Sequence, residues 1–399
     1  MKKAFIPLGV IAVLLLLLLC RCSDFTISWN TVSYTHHDIK PRLKVYIENS
    51  GSMDGYMCDG SELKDAVYSY VSTLRSYADT LELYYINSDT IPYKGNLQHF
   101  IRELTPAAFR RVGGNHSNSD IGAMFEMMLS RHDSTTVSIF VSDCILDVPQ
   151  GTARDYLVNR QIDIRNAFVT ALQKDGDLGV EIFRLTSTFT GTYFYDRGGE
   201  RLTAEIRPYF IWVIGNKHAL AYLNKQVPFS EIKHGIKNYC AFVTPERVPF
   251  VMTDRFGIIQ KKPIIKCKSA RDGKYEIRIH ANLSPLLQLP DMLGNLSLYT
   301  TSNPAIAIES VMPLQQGGGD NTHVISLSIS ESTKSCADSI VFTLPDRPSW
   351  LTAVNDTTGS NVKEHINQTT GIENIVMGVS DAYRQHRKLF AIPFVITNN

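Results

Sequence analysis

The chain has 399 residues, of which 44% are hydrophobic and 20% are charged, so its composition is that of a globular protein and not of a disordered one. Its 40 basic and 39 acidic residues leave a formal net charge of +1. That balance gives no electrostatic footprint for nucleic acid or for an anionic membrane surface, so we expect no nucleic-acid partner.

The N-terminus has the charged start and apolar middle of an export signal. Lys2 and Lys3 precede an apolar run that starts at Phe5 and contains six consecutive leucines before Cys20. Residues 1–22 therefore read as a signal peptide, a lipoprotein signal with Cys20 or Cys22 as the lipidated residue, or an uncleaved signal anchor. Because the lysines stay in the cytoplasm, the rest of the chain is expected outside it, anchored to the membrane in the cell envelope. Residues 23–42 are polar and are interpreted as a tether, with room for one short strand.

The first polar loop of interest follows a short apolar strand. Val45, Tyr46 and Ile47 are β-formers, and the segment Glu48-Asn49-Ser50-Gly51-Ser52 comes directly after them. Side chains at 48, 50 and 52 are oxygen donors that can converge at the end of the strand, as a hard divalent cation requires. An ordinary polar turn is the alternative, because Asn-Ser-Gly-Ser is also common turn chemistry.

The region that follows alternates between predicted helices and strands. Apolar periodicity predicts the helices and continuous apolar runs predict the strands. In chain order we expect a helix over 61–79, a strand over 81–87, a helix over 97–104, a helix from 119, a strand over 136–142 and a helix over 155–174. Strands over 180–185 and 208–215 and a helix over 216–224 follow.

This alternation predicts an α/β fold: a doubly wound, mainly parallel sheet with helices on both faces. Residues 186–207 are longer than an ordinary connection, and Asp196-Arg197-Gly198-Gly199 is typical of a hairpin tip. We interpret 186–207 as a β-hairpin inserted into the domain that spans residues 43–226.

Two later stretches resemble the first loop in character. Ser119 opens a helix after a Gly-rich polar loop, and Asp143 ends a buried strand. Together the three loops resemble the metal-ion-dependent adhesion site of the von Willebrand factor A domain, which reads Asp-x-Ser-x-Ser, then Thr, then Asp. Ser50 and Ser52 match the two serines, Ser119 takes the position of the threonine, and Asp143 that of the last aspartate. Glu48 stands where the family has aspartate.

The resemblance implies a fold, a cofactor and a mode of action. It implies a metal site of Glu48, Ser50, Ser52, Ser119 and Asp143 that holds Mg2+ or Mn2+, with Glu48 acting through water. It also implies a protein partner that offers a carboxylate to the metal. On this basis we expect a non-catalytic, metal-dependent adhesion protein. The alternative is a structural scaffold of an envelope assembly in which Glu48 marks a degenerate metal site.

Catalytic motifs are absent from the sequence. It contains no G-x-S-x-G elbow and no phosphate-binding loop of the G-x-x-x-x-G-K-[ST] type, so an enzymatic role is not expected. Ser50, His116 and Asp143 are the only nucleophile, base and acid that could meet at one end of the sheet. Cys58 and Cys144 follow the first and third loops, and they are either a disulfide or two independent thiols.

From residue 227 the pattern changes to short alternating strands separated by turns. Tyr275, Ile277 and Ile279 alternate with polar residues, and similar segments occur near 325–329, 340–344 and 390–396. One helix is expected over 372–386. We therefore predict that residues 227–399 form a mainly β, sandwich-like domain.

Overall fold

A computed structural model describes most of the chain after the N-terminal segment. It describes residues 25–31, 40–117, 119–146, 148, 153–195, 198–254, 256, 262–267, 273–286, 288–314, 320–357 and 364–398. The predicted signal segment, residues 1–22, lies outside these ranges, and so does much of the predicted tether. Within the ranges, no helix combines the length and the apolar composition needed to cross a membrane.

The strands are numbered in chain order. They are β1 (Phe25–Ser28), β2 (Arg42–Glu48), β3 (Leu81–Ile86), β4 (Thr90–Tyr93), β5 (Thr136–Ser142), β6 (Leu178–Tyr195), β7 (Gly198–Asn216), β8 (Asn238–Phe242), β9 (Phe250–Asp254), β10 (Ile264–Cys267), β11 (Lys274–Ala281), β12 (Tyr299–Thr300), β13 (Ile306–Pro313), β14 (His323–Ser330), β15 (Cys336–Thr343), β16 (Asn355–Asp356), β17 (Thr369–Thr370) and β18 (Lys388–Asn398).

The α-helices are numbered in the same way. They are α1 (Glu62–Arg75), α2 (Leu97–Glu103), α3 (Pro106–Phe109), α4 (Ile121–Ser130), α5 (Ala153–Lys174), α6 (Lys217–Gln226), α7 (Pro290–Leu293), α8 (Leu351–Val354) and α9 (Ile372–Ala382). A 3-10 helix, Gly51–Tyr56, follows β2 and carries part of the first loop.

The largest sheet has seven strands in the order β4-β3-β2-β5-β7-β6-β8. Its central strands are buried on both faces, which explains their continuous apolar sequences. Val45 and Ile47 of β2 face a cluster that contains α1, whereas Tyr46 faces Phe125 of α4 and Phe168 of α5. Helices therefore cover both sides of the sheet, and the ends of β2 and β5 are left to form the site.

The prediction of a doubly wound, mainly parallel sheet is wrong. Among the described residues of this sheet, β2 is parallel to β3 and to β5, but every other neighbouring pair is antiparallel. The strand beside β5 is β7, which runs against it, and β6 lies one place further out. The two other large sheets are antiparallel throughout.

The physical reason is the length of the β6–β7 hairpin. The two strands pair continuously from Leu178 with Asn216 to Tyr195 with Gly198, apart from one register shift near Phe189. Residues 186–207 are therefore the continuation of two sheet strands and not an insertion between them. A strand that returns through a hairpin must be antiparallel to its partner. Strand β7 therefore takes the position beside β5 that a parallel strand would occupy in a doubly wound sheet.

The resemblance to the von Willebrand factor A domain is therefore also wrong. That family was expected to bring a mainly parallel sheet and a metal site, and the sheet here is mixed. The loop sequences carried the resemblance, and the residues that decide strand direction lie elsewhere. One local feature of the expectation is present in the structure: the carboxyl ends of the parallel strands β2 and β5 meet at one edge of the sheet.

The hairpin packs closely against the 3-10 turn that carries the first loop. Gly55 lies under the ring of Phe189, and a Cβ built at Gly55 would be 2.4 Å from two ring carbons. Gly191 is equally close, since its own Cβ would lie 2.7 Å from the Gly55 Cα. Tyr56 adds an edge-on contact, with its ring centroid 5.0 Å from that of Phe189. Only glycine allows the two backbones to approach in this way.

We expect Gly55→Ala to lower the free energy of unfolding by about 2 kcal/mol, because the new methyl group must displace the buried Phe189 ring. Denaturant unfolding measures this change. Gly176→Ala is the control, since a Cβ at Gly176 meets no atom within 4 Å. Equal effects of the two substitutions would contradict the close packing of hairpin and turn.

Two antiparallel sheets make up most of the C-terminal half. One has the order β10-β1-β18-β15-β12 and the other β13-β14-β11-β9. Their inward residues share one hydrophobic cluster, which explains the alternating sequences of β11 and β14. Strand β1, from the segment predicted as a tether, pairs with β10 and β18.

Residues after 226 also contribute to the seven-stranded sheet. Strand β8 forms its edge beside β6, and α9 packs on α5, where Gln161 donates to Asp381 at 2.8 Å. Ile375 and Val376 of α9 belong to the same cluster as Trp212 of β7. The predicted division of the chain at residue 226 stays a prediction about folding units, since this cluster draws on both sides of it.

Candidate functional site

The candidate site lies where β2 and β5 end. Glu48 is the last residue of β2, and Asp143 follows the last residue of β5. Because these strands are neighbours and parallel, both carboxyl groups are delivered to the same edge of the sheet. Both are buried: Glu48 has no exposed surface and Asp143 only 1%. The sequence-based expectation that the two loops meet is confirmed.

The predicted hydroxyl groups divide into two sets. Ser119, which lies just before α4, donates to Glu48 Oε1 at 2.5 Å. The hydroxyls of Ser50 and Ser52 hydrogen-bond each other at 3.0 Å. Asp143 accepts a hydrogen bond at Oδ1 from the backbone N–H of Ile145, at 3.3 Å. Thus Ser119 bonds Glu48, and the serine pair on the first loop lies beside both carboxyl groups, with Ser50 next to Glu48 and Ser52 next to Asp143.

Ser142 was missed by the sequence reasoning. Its hydroxyl donates to Glu48 Oε2 and accepts from the backbone N–H of Cys144, at 2.7 Å for the latter. Ser142 ends a strand in which every residue is buried, so no alternation in the sequence indicates where its side chain points. With Ser119 and Ser142 both engaged, each oxygen of the Glu48 carboxyl has a hydrogen-bond partner.

Asparagine side chains fix the loops around the site. Asn49 donates through Nδ2 to the carbonyl of Phe109 at 2.8 Å, and Asn87 donates to the carbonyl of Gly113 at 2.9 Å. The backbone N–H of Gly51 donates to the carbonyl of His116 at 3.0 Å. Buried backbone groups in these loops are therefore paired, which holds the loop before Ser119 across the first loop.

The backbone is strained next to Asp143. Cys144 has φ of 54°, in the left-handed region that a non-glycine residue enters at a cost of about 1 to 3 kcal/mol. The indole N–H of Trp212 donates to its sulfur at 3.2 Å and helps to hold it there. Cys58 and Cys144 are both free thiols, so the disulfide between them is not formed. The left-handed residue Cys144 directly follows Asp143, whose Oδ1 accepts from the backbone N–H of Ile145 just beyond it.

Burial makes it costly to ionise both carboxyl groups. Burial is the largest effect on Glu48 and raises its pKa, although hydrogen bonds from Ser119, Ser142 and Ser50 oppose this. Burial, followed by the charge of Glu48, raises the pKa of Asp143 to about 7. Two neighbouring carboxylates that are shielded from water repel each other, so the pair of Glu48 and Asp143 favours a state that keeps one proton.

One atom of the pair is left over. Asp143 Oδ2 is buried and makes no hydrogen bond of good geometry to the residues that the structure describes, although the Ser52 hydroxyl is near enough to lower the pKa of this carboxyl group. A buried carboxylate oxygen without a partner costs free energy, and such atoms commonly face an ion or a water molecule. This atom is the strongest indication of a ligand at the site.

The donor set fits a metal ion only in part. Within the described ranges, no group of three or more His, Cys, Asp or Glu side chains is placed to hold a metal ion. The adhesion-site resemblance is therefore not supported by a recognisable metal centre. Two carboxyl groups and several hydroxyls are nevertheless hard oxygen ligands, and Mg2+ is commonly held by one or two carboxylates plus water.

The structure does not arrange Ser50, His116 and Asp143 for nucleophilic catalysis. The ring of His116 contacts the carbonyl of Val112 at 2.6 Å. In the part of the chain that the structure describes, no hydrogen bond joins His116 to Ser50 or Asp143. A serine nucleophile needs a base within hydrogen-bonding reach, so these three residues do not form a triad in this conformation.

The comparisons with known proteins identify no family for this chain. Neither a scan against protein-family models nor a search of curated proteins gave a match. The interpretation of the site therefore depends on its own residues.

Proposed function

We propose that the protein is a non-catalytic binding protein whose carboxyl pair, Glu48 and Asp143, takes up one divalent cation, Mg2+ or Mn2+. The observation that carries this proposal is the unpartnered, buried Oδ2 of Asp143 beside a second buried carboxyl group. A divalent cation would supply the missing partner and would allow both carboxyls to ionise.

The roles of the residues follow from their present partners. Asp143 would bind the cation directly, because one of its oxygens is unused among the described residues. Ser50 and Ser52 would add hydroxyl oxygens, since their hydroxyls bond each other and lie beside the carboxyl groups, Ser50 next to Glu48 and Ser52 next to Asp143. Glu48 already accepts from Ser119 and Ser142, so it would act through a bound water molecule.

A cation held by so few protein groups would keep open coordination positions. A carboxylate of a protein partner would be a suitable ligand for one of them. Phe194, at the end of the β6–β7 hairpin, supports a partner-binding role: it is 53% exposed, and its ring lies 3.3 Å from a Cβ built at Gly51. An exposed aromatic beside a polar site is typical of interface residues.

The envelope location is proposed on the sequence alone. Residues 1–22 carry the features of an export signal or anchor, which would place the described part outside the cytoplasm and attach it to the membrane. The balanced charge of the chain argues against nucleic acid as a partner.

A structural scaffold is the second candidate, and one observation favours it. Both oxygens of Glu48 are satisfied by serine hydroxyls, so a protonated pair could persist as a buried polar cluster without any ion. In that case the cluster would only fix the ends of β2 and β5, and the protein would serve an envelope assembly through other surfaces.

A melting experiment separates the two candidates. The purified protein is expected to melt at a higher temperature with millimolar Mg2+ or Mn2+ than with chelator, because an ion that binds only the folded state stabilises it by mass action. Asp143→Asn should abolish this difference. Glu181→Gln is the matched control, since Glu181 is a buried carboxyl in β6 bonded to Asn224 and outside the pair. If neither ion changes the melting temperature of wild type, the cation proposal is rejected and the scaffold is favoured.

A further inference from the structure

A groove, here called the β8 groove, runs beside the edge strand β8 of the seven-stranded sheet. Its volume is about 720 Å3, within the range of roughly 300–1,000 Å3 that is typical of pockets for small ligands. Residues 236–239 form one wall, and parts of 290–298 and of 345–350 form the others. Neither Glu48 nor Asp143 lines it, so the β8 groove is separate from the candidate site.

Aromatic side chains form the floor of the β8 groove. Phe229, Tyr239 and Trp350 line it, and all three are half-buried. The ring centroids of Phe229 and Tyr239 lie 4.8 Å apart, and Tyr239 stacks on the buried ring of Phe183 at 5.1 Å. The indole N–H of Trp350 donates to the carbonyl of Tyr239 at 3.0 Å. The rings are therefore held in place before a ligand arrives, which lowers the entropy cost of binding.

Polar side chains form the rim around these rings. They include Lys237, Asn238, Asp291, Asn295, Ser297 and Ser349. The amide oxygen of Asn238 accepts from Arg184 at 3.1 Å, and that of Asn295 accepts from the hydroxyl of Ser297 at 2.8 Å. The amide nitrogens of Asn238 and Asn295 make no hydrogen bond to the described residues. The rim therefore offers hydrogen-bond donors to a ligand above the floor.

The charges of the rim are balanced. Lys237 and Asp291 are exposed and opposite in sign, and neither forms an ion pair with a described residue. Arg347 also lines the β8 groove, but it is paired with Glu373 at 2.6 Å. An anionic or cationic ligand would meet one attractive and one repulsive charge on the rim. The β8 groove therefore favours a ligand without net charge.

Two kinds of peptide fit the β8 groove poorly. A peptide that adds a strand to β8 needs the outward backbone groups of that edge, and the carbonyl of Tyr239 already accepts from Trp350. A proline-rich peptide could lie on the aromatic rings, but proline has no backbone N–H to pair with the rim. A sugar chain has both surfaces that are needed, because its rings present faces of C–H groups and edges of hydroxyl groups.

We propose that the β8 groove binds a neutral oligosaccharide whose sugar rings stack on the aromatic floor. The faces of the aromatic rings carry partial negative charge, which attracts the polarised C–H groups of a sugar. The amide nitrogens of Asn238 and Asn295 donate to sugar oxygens, and the carboxylate of Asp291 accepts from a hydroxyl group. The β8 groove shares no residue with the carboxyl pair, so sugar binding does not depend on the proposed cation.

Saturation-transfer NMR of the whole protein tests the proposal. The probes are neutral oligosaccharides of glucose, galactose, mannose and N-acetylglucosamine at millimolar concentration, with a proline decapeptide as the competing ligand. All samples contain chelator, so that the result is independent of Mg2+. At least one oligosaccharide is expected to receive saturation at its C–H protons, and titration of that sugar gives its Kd.

Variants of the floor and of the rim locate the binding. Trp350→Ala removes one stacking surface and is expected to weaken binding on the order of tenfold. Trp350→Phe keeps a ring and should stay closer to wild type. Asn295→Ala removes an exposed rim donor, so it provides the test if Trp350→Ala does not fold. Tyr68→Ala is the matched control, because Tyr68 is an aromatic residue of α1 that is 38% exposed and does not line the β8 groove.

The outcomes are distinct. Weaker binding in Trp350→Ala or Asn295→Ala, with Tyr68→Ala unchanged, supports the proposal. If no oligosaccharide binds, or if both groove variants bind as tightly as wild type, the proposal is overturned. Binding of the proline decapeptide in place of every sugar also overturns it and assigns the β8 groove to a peptide. None of these results bears on the cation site, which the melting experiment tests separately.

Discussion

Gly378→Val is expected to destabilise the protein by about 3 kcal/mol, because it forces apart two helices that the fold needs in contact. Gly378 lies in α9, and a Cβ there would be 2.8 Å from the carbonyl oxygen of Gln161 and 3.0 Å from Ile164 in α5. Ile164 is fully buried, so it cannot move aside without disturbing the cluster around it. Backbone oxygen cannot move at all without bending α5.

Urea unfolding measures the loss, and Gly294→Val is its control. Gly294 follows the last residue of α7, and a Cβ there meets no atom within 4 Å, so its replacement should change the free energy of unfolding by a much smaller amount. Similar effects of the two valines would argue that α9 does not pack against α5. The comparison tests whether a helix from the C-terminal half completes the core of the seven-stranded sheet.

Local patterns in the sequence predicted the helices and strands well. The helix predicted over 61–79 is α1, with Ser61 before it, and the helix predicted over 372–386 is α9 with a 3-10 turn after it. The hairpin tip was placed near residues 196–199; the pairing of Tyr195 with Gly198 agrees, although residues 196 and 197 lie outside the described residues. Periodicity and turn chemistry act within a few residues, which is why these predictions were confirmed.

Strand direction depended on information that local patterns do not contain. The run from Tyr209 to Ile214 is apolar because it is buried on both faces, and a buried strand has the same sequence whether it runs parallel or antiparallel to its neighbour. Only the unbroken pairing of β6 with β7 decides the direction of β7. The sequence-based prediction ended β6 at Leu185 and treated residues 186–207 as an insertion. Without the continuous hairpin, β7 was assigned to a mainly parallel sheet.

The site was predicted in part for a comparable reason. Glu48, Ser119 and Asp143 were found because each lies at the end or the start of a predicted element, and such ends converge. Ser142 is the last residue of a strand and reads as an ordinary strand residue. Its importance arises from a partner far away in the chain, since Ser142 meets Glu48 with a separation of 94.

The stability of the protein is expected to fall as the pH rises from about 4 to 7 through the contribution of Asp143. Its pKa is raised from 3.8 to about 7 by burial and by Glu48. Between these values the unfolded chain has released the proton while the folded protein keeps it. Each pH unit in that window then costs roughly 1.4 kcal/mol, and the whole window about 4 kcal/mol.

Other groups titrate in the same range, so the comparison is a difference between proteins. Glu181, whose pKa burial raises to about 8, contributes with the same sign as Asp143. Asp175 contributes with the opposite sign and only below its ordinary pKa of 3.8, because hydrogen bonds from His132 and its neighbours outweigh burial and lower its pKa. Both are unchanged in Asp143→Asn, so subtracting its unfolding curve from that of wild type removes them and leaves the contribution of the coupled pair of Asp143 and Glu48.

The measurement is denaturant unfolding of wild type and Asp143→Asn at several pH values in chelator. Wild type should be the less stable of the two near pH 7 and should recover toward pH 4. Curves that stay parallel would mean that Asp143 ionises freely in the folded protein, with its charge already balanced. Added Mg2+ extends the test: a cation that displaces the shared proton should flatten the wild-type curve at neutral pH and leave the variant unchanged. Because the variant lacks the ionisable oxygen but keeps the shape of the side chain, this response would tie the proton and the cation to the same buried atom.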